Sequence, residues 1–93
     1  MAGTTVWCAA NLLMKSWNDG VIVYNLDSGT THLLNPTAGQ VLYYLAEARA
    51  GVGALSHRLA CENDLESDAE LDRTVEDLLM QLDSLGLIEP ITE

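Results

Sequence analysis

The chain has 93 residues, 48% of them apolar and 19% charged, which supplies one modest core and argues against intrinsic disorder. Its net charge of −10 repels phosphate backbones and anionic lipid heads, so nucleic acid and membrane surfaces are excluded as partners and cationic ones are favoured. Eleven of the fourteen acidic residues fall between Glu62 and Glu93, against four Lys and Arg in the whole chain.

From Val6 to Met14 every even position is apolar (Val6, Cys8, Ala10, Leu12, Met14), the period-two signature of a strand. Asn11 and Lys15 interrupt this stretch and no basic segment precedes it, so it reads as neither a signal peptide nor a membrane span. Asn18-Asp19-Gly20 is a turn cluster, and Val21 to Tyr24, β-branched and aromatic, predicts a second strand. Leu26-Asp27-Ser28-Gly29 supplies a hairpin turn, with Gly29 free to take positive φ, and Thr30 to Leu34 predicts a third strand antiparallel to the second.

Asn35 and Pro36 mark a helix start, Asn as N-cap and Pro at the first helical position. Ala38, Val41, Leu42, Leu45 and Ala48 carry that helix to a stop at Gly51 and Gly53. Leu55 and Leu59 predict a second, shorter helix over about 54–61. A polar loop from Glu62 to Glu66 follows, anchored by Leu65. Ser67-x-x-Glu70 has the capping-box form, and Leu71, Val75, Leu78, Leu82 and Leu85 set the core stripe of a third helix that Gly86 ends. Leu87 to Ile91 is read as a tail. Strands over about 6–34 followed by helices over about 36–86 predict one α+β domain spanning 1–93, a three-stranded antiparallel sheet followed by a three-helix bundle, winged-helix-like in outline. With only three strands, the sheet has edges open to solvent or to a partner.

The residues that carry chemistry are few. Cys8, Cys61, His32 and His57 suit zinc, but none has ligand spacing, and both cysteines fall on apolar faces, so no metal and no cofactor is expected. Without a CxxC pair or secretory signal the chain is read as reduced and cytoplasmic. A Cys-His nucleophile lacks an orienting third group, so no catalytic residue is expected and the chain is read as a non-enzyme. Asp83-Ser84-Leu85 has the form of a phosphopantetheine attachment tripeptide, but Ser84 falls in the last turn of a helix instead of opening one. The third helix carries Asp68, Glu70, Asp72, Glu76, Asp77 and Asp83 against Arg73 alone, which unsuits it as a major-groove reader. Asp72, Glu76, Leu79 and Asp83 form a second stripe on that helix, a solvated face or the wall of a groove for an apolar anchor and cationic side chains.

Over Tyr24 to Gln40 the sequence YNLDSGTTHLLNPTAGQ, with the closing Leu82-x-x-Leu85-Gly86-Leu87-Ile88, resembles the PqqD-like family of small peptide chaperones, also described as RiPP recognition elements. Ser28-Gly29-x-Thr31-His32-Leu33-Leu34-Asn35 is most similar to the branch associated with HPr-kinase-like proteins. The resemblance implies non-catalytic binding of the leader of a ribosomally made precursor peptide, added as a strand and presented to a separate modification enzyme. It implies contacts from Thr30, Thr31, His32 and Leu33 on the third strand and from Asp72, Val75, Glu76 and Leu79 on the third helix. Two other readings stand beside it: a structural or regulatory docking subunit whose sheet edge is closed by homodimerisation, and a carrier protein modified on Ser84.

Overall fold

The computed structural model describes residues 5–17, 19–66 and 68–91. The elements run β1 (Val6–Ala9), β2 (Leu12–Trp17), β3 (Gly20–Asn25), β4 (Thr31–Leu34), α1 (Pro36–Glu47), β5 (Ala50–Gly51), α2 (Val52–Asn63), α3 (Ala69–Ser84) and β6 (Ile88–Ile91). This is the expected α+β class, with a three-stranded antiparallel sheet in the order β2-β3-β4 and three helices. A second three-stranded sheet, in the order β5-β1-β6 and also antiparallel, is added to it.

The second sheet exists because the first predicted strand breaks in two at Ala10 and Asn11. Trp7 and Ala9 lie against the core from β1, whereas Leu12 and Met14 do so from β2, so the inward phase switches from odd to even positions across the break. A single strand of period two cannot do both. The Ala10 N–H donates to the Leu87 carbonyl and the Leu26 N–H to the Asn11 carbonyl, each at 2.9 Å, so each side of the break is tied to a different neighbour. β1 is thereby released to pair with β5 and β6. The segment read as a helix stop near Gly51 and the segment read as a tail are its two partners.

The helix starts follow their capping chemistry. Asn35 Oδ1 accepts from the Ala38 N–H at 2.8 Å with Pro36 in the first turn, as expected. α1 ends at Glu47, earlier than the sequence suggested, because Ala48 turns extended and leads into β5. α2 is longer than expected at both ends, and its extension through Asn63 leaves Leu65 exposed instead of anchored. Asp68 caps α3, its carboxylate accepting from the Leu71 N–H at 2.9 Å; Ser67, the expected cap, lies outside the described residues. α3 closes in a Schellman motif, with Gly86 at φ 77, its N–H on the Asp83 carbonyl and the Leu87 N–H on the Leu82 carbonyl.

The core joins Val21, Val23 and Leu34 of the first sheet to Val41, Leu42, Leu55, Leu59, Val75, Leu79, Leu82, Leu87 and Ile88. α1 approaches β3 so closely at Gly39 that a Cβ there would collide with the Val21 side chain. Gly39→Ala is therefore expected to cost about 1–3 kcal/mol by overpacking, in spite of the better helix propensity of alanine, and denaturant unfolding measures it. Parent-like stability would mean that Val21 can move aside.

Candidate functional site

Four strands have one side unpaired among the described residues, and three of them carry protection. β2 holds Lys15 at mid-strand, β6 holds Glu89 and Pro90, and β5 is only two residues long. β4, with Thr31, His32, Leu33 and Leu34, has neither charge nor proline. It is the edge on which an extended chain can form a ladder.

The register decides which groups face outward. Just before β4, the Asn25 N–H donates to the Thr30 carbonyl at 2.8 Å, and the ladder continues as Tyr24 with Thr31, Val23 with His32 and Ile22 with Leu33. In antiparallel alternation His32 and Leu34 then turn their main-chain groups to β3, while Thr31 and Leu33 turn theirs to the open side. The side chains alternate as well. Leu34 is buried and His32 half-buried on the inner face, whereas Thr31 and Leu33, the latter 63% exposed, lie on the outer face with Leu13, Trp17 and Tyr24. His32 Nε2 lies 3.2 Å from Thr30 Oγ1, which lies 2.7 Å from Ser28 Oγ, so a run of side-chain hydrogen bonds steadies the start of the edge.

Asn25 holds the hairpin that presents this edge. Its Oδ1 accepts from the N–H groups of Asp27 (2.9 Å) and Ser28 (3.2 Å), and its Nδ2 donates to the Gly86 carbonyl at 3.1 Å. Buried within the fold, it ties the β3–β4 turn to the end of α3. The sequence signal of this role is an Asn heading a turn, where the side chain caps the next N–H groups.

The helix residues expected at the cleft separate into two sets. Val75 is 0% exposed and Leu79 1%, so both belong to a core stripe that runs through Val75, Leu78, Leu79 and Leu82. Asp72 is half-buried and Glu76 exposed. Glu76 and Leu79 line a cavity of about 350 Å³ with Thr5, Trp7, Val52 and Met80. Its far wall is therefore β1 of the second sheet, and not β4. Trp7 of β1 is the aromatic residue of that lining, and its sequence signal is only a position in a strand.

The remaining candidates are placed as follows. His57 and Cys61 stand one turn apart on α2 with Nε2 and Sγ 3.8 Å apart, so helical spacing does bring this pair together, and Cys61 is exposed instead of buried. Among the described residues no group of three or more His, Cys, Asp or Glu is arranged to hold a metal ion. Ser84 is the last residue of α3. Arg58 pairs with Glu47 (2.6 Å) and Glu62 (3.1 Å) and lies over the Tyr44 ring at 4.2 Å, joining α2 to α1. Burial, reinforced by the Glu62 carboxylate, pushes the Tyr44 phenol up to about 12. No helix of the described residues is long and apolar enough to cross a membrane.

Comparison with known proteins agrees with this architecture. The profile of the family described as "Coenzyme PQQ synthesis protein D (PqqD)" matches residues 20–88. No curated protein matches the chain in sequence. A solved structure titled "TbiB1 in Complex with the TbiA(beta) Leader Peptide" superposes with a TM-score of 0.73 at 17% identity, covering 92% of this chain and 99% of that one. At that identity the likeness is one of fold.

Proposed function

The chain belongs to the PqqD family, and we propose that it binds the leader segment of a ribosomally synthesised precursor peptide, without catalysis of its own, by adding the leader as a strand to β4. The observation that carries this reading is the unguarded edge, where Thr31 and Leu33 present unpaired main-chain groups. The structural likeness to TbiB1, itself solved with a leader peptide, supports it. A separate modification enzyme is the second partner, to which the bound peptide is handed.

Magnitudes set what else the site must supply. Thr31 and Leu33 can exchange about four main-chain hydrogen bonds with an added strand, worth roughly 1 kcal/mol each, or about 4 kcal/mol together. Micromolar binding needs roughly 8 kcal/mol beyond the cost of ordering the peptide, so side chains must provide at least the other half. On the inner side of the edge stands His32, and on the outer side Leu33. Strand addition thus supplies a sequence-tolerant base and the flanking side chains supply choice.

The test is an amide-resolved NMR titration with the leader of a precursor peptide encoded beside the chain. Saturable shifts are expected at Thr31 to Leu34, together with slowed hydrogen exchange of the Thr31 and Leu33 amides. Shifts confined to β2 or β6 would overturn the assignment of the edge. A dimer with those two amides already protected before peptide is added would favour the docking-subunit reading.

A further inference from the structure

We propose that the cavity between β1 and α3 is a second recognition point, which takes one lysine or arginine side chain of a protein partner other than the leader. It is lined by Thr5, Trp7, Val52, Leu79 and Met80, and Glu76 stands among them with no ion-pair partner among the described residues. An apolar sleeve with an aromatic face and one carboxylate matches the chemistry of a long basic side chain. The methylene stem lies against Leu79 and Val52, the cation meets the face of Trp7, and the charged head reaches Glu76. Met80, 68% exposed, is unbranched and adapts to the shape of what enters. Asp72, Asp77 and Asp83 on the same helix extend the negative field around this cavity, which steers a cation toward it.

Charge also decides against a second copy of this chain as the occupant. Each copy carries a net −10, so bringing two together at their most acidic helix is opposed by that field. The leader is excluded on different grounds. The cavity is lined from β1, α2 and α3 and by no residue of β4, so a strand added to β4 does not itself fill it. One domain can thereby hold a peptide and a basic side chain of a second protein at once. The naming of the partner rests on the leader reading, whereas the preference for a cation rests on the cavity alone.

The experiment titrates the full chain with N-acetyl-lysine methylamide and, separately, with its neutral analogue N-acetyl-norleucine methylamide, following the Trp7 indole N–H and the methyls of Val52, Leu79 and Met80. The lysine probe is expected to bind at these groups at least about fivefold more tightly than the norleucine probe, the factor that about 1 kcal/mol of cation–π and charge attraction gives. Glu76→Gln is expected to reduce that difference, the attraction to Trp7 remaining, while leaving the norleucine shifts unchanged. Equal affinity for both probes, or a lysine effect spread over the acidic surface and indifferent to Glu76→Gln, would overturn the site. Repeating the titration on leader-saturated protein separates the sources: continued binding supports a partner other than the leader, and displacement of the probe refutes it. Leader shifts at β4 are read in the same spectra, so a failure of the cavity is distinct from a failure of the edge.

Discussion

Leu33→Pro is expected to weaken leader binding at least about 100-fold while leaving thermal unfolding close to that of the parent chain. The reason lies in the direction of one N–H. Leu33 turns its main-chain groups away from β3, so a proline there costs the β3–β4 ladder nothing, and proline is tolerated on an edge strand whose N–H faces outward. An added strand, in contrast, loses one hydrogen bond of about 1 kcal/mol and meets a ring where it needs to approach closely. It also loses the leucine side chain, worth about 1.5–3 kcal/mol where fully buried. His32→Pro is the matched control, because the His32 N–H points into the ladder. That variant is expected to lose fold stability instead. Calorimetric titration with leader, beside thermal melts of both variants, separates the two effects. A Leu33→Pro variant that binds as well as the parent would mean that the peptide does not add to β4.

Asn25→Ala is expected to be the most destabilising single change at a polar position. The side chain makes three hydrogen bonds, two to the turn and one to Gly86, and all are lost from a buried site. At about 1 kcal/mol for each bond, and with groups left unpaired, the cost is about 3 kcal/mol, against a total stability of roughly 5–14 kcal/mol for a chain of this length. The midpoint of thermal unfolding should fall by about 10–20 °C. Asn25→Asp keeps the acceptor for Asp27 and Ser28 but loses the donor to Gly86, so it separates the turn from the helix tie. A small effect of Asn25→Ala would show that the Schellman end of α3 holds the hairpin without it.

Features set by a few adjacent residues were legible from the sequence. Asn35-Pro36 announced α1, Gly29 its turn (φ 75), and Gly86 the end of α3. Features that depend on which segment meets which were not. The phase shift at Ala10 and Asn11 leaves the even positions apolar throughout, so period-two counting passes straight over it. β5 is two residues long, and β6 contains a proline, so neither carries a strand signature strong enough to be read before β1 is known to need partners. The site divides in the same way. The family segment marks β4, whereas on the helix side Leu79 stands at the border of the core stripe and the acidic stripe, and helical period alone does not assign it to core or groove. Trp7 shares a cavity lining with α3 through tertiary placement of β1, which no local pattern encodes.

An edge that accepts one extended chain accepts others, including a strand from a misfolded copy of itself. β4 bears no residue that discourages such stacking, and beside it lies an outer face of Leu13, Trp17, Tyr24 and Leu33. What keeps copies dispersed is then the long-range repulsion of their acidic surfaces, with a pI near 4.2. Colloidal safety and cargo capture are thus divided between opposite ends of the chain: the carboxylates after Glu62 act as the dispersant that lets the strand before Asn35 stay bare.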